Sequence, residues 1–125
     1  MALDYVIDRE KKLVISTATG VFTATDAFTH QNKLRSDPNF NQDFSQLLDF
    51  SAVTSVQIYS ESIVQLAHAT IYSEKSRRAF VVCDALTFGL ARMFGTYREI
   101  ANGKEKIRIF EDRNEAVQWL ERGDE

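Results

Sequence analysis

Asp49 is the residue with the clearest potential for chemistry, because it interrupts an otherwise apolar run from Leu47 to Phe50. A carboxylate in a buried strand costs free energy unless it is paired or hydrogen-bonded. In open α/β sheets ligands bind near the carboxyl ends of strands, so Asp49 and the nearby Ser51 could contact a ligand. Alternatively, Asp49 accepts hydrogen bonds from the amides of a turn over 51–53, as aspartate commonly does. We favour the turn and keep ligand binding as the alternative.

A second candidate group, Ser60, Glu61 and Ser62, opens a stretch with the apolar spacing of a helix. A phosphate on Ser60 would be favoured at a helix N-terminus, and Glu61 could supply a permanent negative charge in its place. The simpler interpretation is that Ser60 caps the helix, which contributes about 1 kcal/mol. Glu61 then only suits the first helical turn. We favour the simpler interpretation for both residues.

The other reactive side chains do not form a recognisable catalytic or metal-binding set. His30 and His68 lack the paired spacing of metal ligands, so we expect both to be exposed to solvent. Cys83 follows an apolar strand pattern and is expected to be buried and inert. A hydrolase triad of Ser60, His68 and Asp49 has no Gly-x-Ser-x-Gly elbow to support it. We therefore expect no catalytic residues, no metal and no cofactor.

Composition indicates an ordinary globular domain. The chain has 125 residues, which predicts one domain over 1–125. Its net charge of −3 disfavours nucleic-acid binding. No apolar run approaches the roughly 20 residues that cross a bilayer, so we expect no membrane insertion. A lone cysteine excludes an internal disulfide and fits a reducing compartment. The charged N-terminal segment also lacks a secretory signal, so we expect a cytoplasmic location.

Apolar periodicity and capping residues predict strands alternating with helices. The predicted strands are Leu3–Asp8, Leu13–Thr19, Leu47–Phe50, Arg78–Cys83 and Lys106–Phe110, with Gly20 ending the second strand. The predicted helices follow a capping box at Thr23–Asp26 to Ser36, then run from Ser60 to Tyr72, from Asp84 to Asn102, and from Asp112 onward. The resulting order, β-β-α-β-α-β-α-β-α, implies an α/β fold with a mostly parallel sheet.

Helical spacing also predicts which faces are buried. The first helix should turn inward with Ala24, Ala27, Phe28, Gln31 and Leu34. The second helix should bury Ile63, Leu66, Ala67 and Thr70, and expose Glu61, Gln65, His68 and Tyr72. The last helix should bury Ala116, Val117 and Leu120.

The third helix suggests a homodimer. Its apolar residues cluster on one side, which we expect to be core: Leu86, Leu90, Met93, Phe94, Tyr97, Ile100 and Ala101. The opposite side carries Phe88, Ala91 and Gly95, and Arg92 lies beside this strip. Small residues let a second helix approach closely, and charged residues suit the rim of an interface. We therefore predict a homodimer through this strip. The alternatives are a single exposed Phe88, which is ordinary, or a Phe88 covered by the chain's own loops.

The segment LLDFSAVTSV followed by SESIVQLA resembles the STAS family, which includes the bacterial anti-anti-sigma factors and the SpoIIAA-like group. The segments HQNKLRSDPNF and FGLARMF are similar to an uncharacterised SpoIIAA-like branch, some members of which are described as STAS/SEC14-like. The resemblance implies a SpoIIAA-like fold: a mostly parallel five-stranded sheet with an N-terminal β-hairpin and four helices. It also implies a non-enzymatic regulatory domain that binds a protein partner. The alternative is a carrier or sensor of a small hydrophobic, lipid-like ligand, which the SEC14-like naming and the Phe-rich third helix suggest.

The chain departs from the regulatory members of that family at the start of the second helix. Those members have Asp-Ser-Ser-Gly there, and a partner kinase phosphorylates a serine. This chain has Tyr59-Ser60-Glu61-Ser62, without the aspartate or the glycine. We therefore expect regulation without the usual phosphoserine switch.

Overall fold

A computed structural model of the chain describes residues 2–123. The elements are β1 (Leu3–Asp8), β2 (Leu13–Thr23), α1 (Ala24–Ser36), β3 (Ser45–Gln57), α2 (Ser60–His68), β4 (Arg77–Val81), α3 (Ala85–Ile100), β5 (Lys106–Phe110) and α4 (Arg113–Arg122). They form one five-stranded sheet in the order β1-β2-β3-β4-β5. β1 pairs antiparallel with β2, and every other pair is parallel. The predicted element order and the N-terminal β-hairpin are confirmed.

The helices cover both faces of the sheet, three on one side and one on the other. α1 contacts β1 and β2, α3 contacts β3 and β5, and α2 packs against both of these helices. α4 contacts β3, β4 and β5 on the opposite face. Alternate residues of β3 therefore enter different cores: Phe50 packs under the three helices, and Leu47 packs against α4. This alternation is the normal consequence of strand geometry.

Local hydrogen bonds set the helix starts. The capping box that opens α1 is confirmed, because Thr23 Oγ1 accepts from the Asp26 amide at 3.3 Å and Asp26 Oδ2 accepts from the Thr23 amide at 2.9 Å. Asp84 caps α3 and Asp112 caps α4, each through its carboxylate. After α3, Asn102 takes a positive φ of 66°, as expected of the residue that follows a helix end.

Two strands run further than predicted. Gly20 has a positive φ of 65°, but β2 continues through an irregularity of register to Thr23 instead of ending there. β3 correspondingly continues to Gln57, because its extension pairs with the extension of β2 from Thr19 to Thr23. The predicted strand end at Phe50 was therefore wrong. So was the turn over 51–53, since these residues are strand.

The boundary and exposed face of α2 also differ in part from the prediction. The helix ends at His68, and Tyr72 lies in the following loop, buried with 7% of its surface exposed. Tyr72 was predicted to face solvent. The predicted inner residues Ile63, Leu66 and Ala67 are buried as expected.

The face assignment for α3 was wrong in part. Leu90 and Phe94 are partly buried, and Phe94 packs against the core as predicted. Thr87, Ala91 and Arg98 are the buried residues of this helix, whereas Leu86 and Ile100 are 60% and 65% exposed. Thr87 Oγ1 donates to the Asp84 carboxylate and Arg98 donates to the Glu105 carboxylate, so polar side chains occupy positions that an apolar pattern assigns to solvent. Ala91 packs in the core and cannot belong to an exposed strip. Phe88 and Arg92 are exposed and Gly95 is partly buried, and the homodimer stays a prediction.

Candidate functional site

Asp49 is fully engaged by neighbouring residues. It is 6% exposed, and its Oδ1 accepts from the Ser51 amide at 2.8 Å and from Ser51 Oγ at 2.6 Å. Its Oδ2 accepts from Arg113 Nη1 of α4 at 2.6 Å. Burial raises the pKa of Asp49, but the Ser51 hydrogen bonds and the Arg113 guanidinium outweigh burial and hold that pKa below its ordinary value. The carboxylate therefore carries its charge as part of an ion pair that joins β3 to α4.

The predicted hydrogen bonding of Asp49 is confirmed for Ser51, although it occurs within a strand. The ion pair with Arg113 was missed, because the two residues are 64 positions apart in the sequence.

Ser60, Glu61 and Ser62 occupy the first turn of α2, on the opposite face of the sheet from Asp49. The N-cap is Tyr59, and no side chain caps this helix. The predicted capping role of Ser60 was therefore wrong: Ser60 is the first helical residue and is exposed. Glu61 is exposed in the first turn, as expected. The two candidate groups therefore lie on opposite faces of the sheet and do not form one site.

His30 and Cys83 are placed contrary to prediction. His30 is 8% exposed, and its Nε2 lies 2.8 Å from Ser16 Oγ. Cys83 is exposed, and its Sγ contacts the Ser51 carbonyl at 3.6 Å. His68 is exposed as expected. Within residues 2–123, no three His, Cys, Asp or Glu side chains are grouped so that they could hold a metal ion.

A pocket lies between the sheet and the layer of α1, α2 and α3. Its volume is about 110 Å³; for scale, an engineered apolar cavity of about 150 Å³ binds benzene. Apolar side chains from strands and helices form most of the wall, among them Phe22, Phe50, Ile63, Leu66, Leu90 and Phe94. The polar lining residues include His30, Gln31, Gln46, Thr70, Tyr72 and Arg78. A mostly apolar cavity with a few polar groups is the usual form of a small-molecule site.

The polar end of the pocket is a chain of buried hydrogen bonds. Gln46 Nε2 donates to Ser16 Oγ at 3.3 Å, next to the contact between Ser16 and His30. Arg78 Nε donates to Gln46 Oε1 at 3.1 Å. Gln46 and Arg78 are partners in the register of β3 and β4, each the second residue of its strand. These hydrogen bonds therefore lie at the amino ends of the strands, away from the carboxyl ends where the alternative interpretation of Asp49 placed a ligand.

Glu105 binds two arginines at the far end of this series of hydrogen bonds. Arg98 donates to it twice, from Nη2 at 2.8 Å and from Nε at 3.2 Å, whereas Arg78 Nη1 approaches at 3.4 Å. Thr70 Oγ1 also donates to Glu105. Burial raises the pKa of Glu105, but the hydrogen bond from Arg98 and the two guanidinium charges lower it below its ordinary value. The carboxylate is therefore ionised.

Arg78 is enclosed by aromatic rings as well as hydrogen-bonded. Its guanidinium carbon lies 4.6 Å from the ring centre of Tyr72, 5.1 Å from that of Phe94 and 5.4 Å from that of Phe80. Ring faces attract a cation, and more strongly where water is excluded. Burial lowers the pKa of Arg78, and Tyr72 and Glu105 oppose this effect. Arginine remains protonated in proteins, so the pocket contains a buried cation.

Two buried polar atoms on the pocket wall have no hydrogen-bond partner among the described residues. They are the Tyr72 hydroxyl and the Gln31 side-chain nitrogen. Burial raises the pKa of Tyr72, so the hydroxyl keeps its proton and is a donor. Unsatisfied buried polar groups are uncommon in native proteins and call for an explanation.

Comparison with protein-family models and with curated proteins found no match. Among solved structures, the chain is similar to an uncharacterised protein of the DUF3478 family from Shewanella loihica PV-4, whose crystal structure has a SpoIIAA-like fold. The TM-score is 0.63 at 17% sequence identity, over 95% of this chain and 94% of that one. This chain has a SpoIIAA-like fold. The predicted fold class is therefore confirmed, with a likeness that extends over nearly all of both chains.

Sequence reasoning missed the residues that define the polar end of the pocket, although one signal was available. Gln46 and Arg78 each stand two positions before an aliphatic or aromatic residue of the same strand, Leu48 and Phe80. Alternate strand residues share a face, so both polar side chains had to enter the same core as these apolar neighbours. Their pairing across adjacent strands could not be read from the sequence.

Among the residues that the structure describes, no helix is long and apolar enough to cross a membrane.

Proposed function

We propose that this SpoIIAA-like domain binds a small, mainly apolar molecule in the pocket beneath α1, α2 and α3, and acts without catalysis as its carrier or sensor. The pocket is the observation that carries this proposal. Native interiors are close-packed, with few voids larger than a water molecule, and this pocket is well above that size. The apolar wall favours an apolar ligand, because burying its surface releases water from both partners.

α2 connects the pocket wall with the protein surface, which supports the sensor form of the proposal. Its buried side lines the pocket with Ile63 and Leu66. Its first turn presents Ser60 and Glu61 to solvent. A ligand that shifts this helix would change the position of both exposed residues.

Native mass spectrometry of freshly purified protein is the direct test. We expect a fraction of the protein to retain a small molecule, and we expect fatty acids or fatty alcohols to raise the thermal unfolding temperature, because a ligand that binds only the folded state stabilises it. A ligand-free mass together with no thermal shift across a lipid panel would contradict the proposal.

A variant that fills the pocket provides the control. Ala27 lies on the pocket wall and is partly buried, so Ala27→Leu should reduce ligand retention while circular dichroism remains unchanged. Ala85→Leu adds the same atoms to an exposed position of α3 away from this pocket. The control variant should retain as much ligand as the wild type.

The exposed first turn of α2 favours a second candidate function, a regulatory protein-interaction domain of anti-anti-sigma-factor type without the phosphoserine switch. Glu61 would supply the fixed negative charge at the helix start. Recovery of a kinase-like or sigma-regulator protein by the wild type, and its loss with Glu61→Lys, would support this role. Phosphate on Ser60 in protein isolated from its native cell would contradict a role without the switch.

A further inference from the structure

We propose that the ligand of this pocket carries one anionic head group of carboxylate type, bound at the polar end by Arg78, Tyr72 and Gln31. This inference rests on the proposed function and adds the chemical class of the ligand: an amphipathic monoanion with an apolar body. Three features of the polar end carry it, namely an excess of positive charge, two unused donors, and their position on the wall of the same cavity.

The buried cluster contains one more positive than negative charge. Within residues 2–123, its hydrogen bonds join the guanidinium groups of Arg78 and Arg98 to the single carboxylate of Glu105. Arg98 holds that carboxylate at 2.8 and 3.2 Å, whereas Arg78 lies 3.4 Å from it. Strong charge-assisted bonds are about 2.7–2.9 Å long, so Glu105 is chiefly the partner of Arg98. A buried charge without a close counter-ion is costly, and an anionic ligand would supply one for Arg78.

Arg78 can also reach a ligand while it keeps its protein contacts. Nε donates to Gln46 and Nη1 to Glu105, which leaves Nη2 outside both bonds. The residue lines the pocket. A carboxylate oxygen there would accept from Nη2 without breaking either bond.

The two orphaned atoms have the polarity that a carboxylate needs. The Tyr72 hydroxyl and the Gln31 amide nitrogen are both donors on the pocket wall. Tyr72 also stacks on the Arg78 guanidinium, at 4.6 Å from ring centre to Cζ. A bound carboxylate would accept hydrogen bonds from these groups, and hydrogen bonds to a charged partner are the stronger kind.

Other head groups fit less well. An ammonium group would bring a second positive charge beside the buried guanidinium, and it has no lone pair to accept from the Gln31 amide. A purely apolar molecule would leave both donors unsatisfied. A phosphate monoester would bring up to two negative charges to one excess positive charge. The polar end therefore selects a carboxylate among these classes.

Titration calorimetry at near-neutral pH with decanoate, decanol and decylamine tests the inference. The three probes have alkyl chains of the same length and differ in the head group. We expect decanoate to bind about tenfold more tightly than decanol, since a hydrogen bond to a charged group typically contributes this much. Decylamine should bind most weakly. The hexyl and tetradecyl members of each series repeat the comparison for shorter and longer bodies.

Variants identify the groups responsible. Tyr72→Phe removes one donor and keeps the ring, so it should weaken decanoate binding by about threefold to tenfold and weaken decanol binding less. Adding Gln31→Leu should weaken decanoate binding further, and neither change disturbs the Arg78 contacts with Gln46 and Glu105. Tyr59→Phe, at an exposed position, is the matched control and should bind every probe like the wild type. Arg78→Met should abolish the preference for decanoate in protein that still binds decanol.

The outcomes separate the two proposals. If decanol or decylamine binds as tightly as decanoate at every chain length, the pocket is a ligand site and the anionic head group is wrong. Unchanged decanoate binding by the variant that lacks both donors would also overturn the inference. If no probe of any length binds, both the proposed function and the inference of an anionic head group are wrong.

Discussion

Protonation of His30 should destabilise the folded protein, and the structure gives the size of the effect. Burial is the main cause that lowers the pKa of His30, from its ordinary 6.5 to about 4, and the positive charges of Arg78 and Lys33 lower it further. The side chain lies edge-on to the Tyr5 ring with centroids 5.5 Å apart, and Ser16 Oγ is 2.8 Å from Nε2. Neutral imidazole can accept a hydrogen bond from Ser16, whereas the protonated ring cannot.

The sign follows from proton binding in the two states. Between pH 6.5 and about 4, the unfolded chain binds a proton at His30 and the folded protein does not. The free energy of unfolding therefore falls as the pH drops through this window. The full difference in pKa corresponds to about 3 kcal/mol, which is lost progressively and is almost complete near pH 4. Above pH 6.5 this contribution is fully present and constant.

Urea denaturation at a series of pH values measures this contribution. The protein is compared with His30→Gln, which cannot titrate, and with His68→Gln, which changes an exposed histidine. Carboxylates that titrate near pH 4 do so in all three proteins, so their effect cancels in the differences. The stability of the wild type relative to His30→Gln should fall by about 3 kcal/mol from neutral pH to about pH 4. His68→Gln controls for the loss of a histidine outside the core. A difference between wild type and His30→Gln that does not change with pH would refute the reasoning.

Three further predictions concern residues named from the sequence. Asp49→Ala should lower the free energy of unfolding in urea by about 1–3 kcal/mol, because it orphans donors from Ser51 and Arg113; an unchanged stability would show that these bonds contribute nothing. Ser60→Ala should change stability by less than about 0.5 kcal/mol, since Ser60 is exposed and caps nothing, and a loss of a full cap's value would argue against the observed helix start. Phe88→Asp should convert a dimer into a folded monomer by sedimentation equilibrium and circular dichroism. A monomeric wild type at tens of micromolar, or a folded variant that stays dimeric, would rule out the predicted interface.

Sequence alone determined the features that depend on neighbouring residues. The capping box of Thr23 and Asp26 spans three positions, and so does the contact of the Asp84 carboxylate with the Thr87 amide. The alternation of strands with helices follows from periodic burial within each segment, which is why the parallel sheet could be predicted. The hydrogen bonds of Asp49 to Ser51 are local for the same reason.

Only the tertiary structure decided which segments lie beside one another, and with it the site. β3 runs to Gln57 because the extended β2 offers it a partner, and that pairing could not be read from the sequence. Arg78 meets Gln46 from 32 positions away and Glu105 from 27 positions away. Long-range partners of this kind let polar side chains occupy buried positions that an apolar pattern reserves for aliphatic ones. In α3, Arg98 lies inside and Leu86 outside, because the Arg98 guanidinium finds the Ala67 carbonyl, 31 positions away, and the Glu105 carboxylate as buried hydrogen-bond partners.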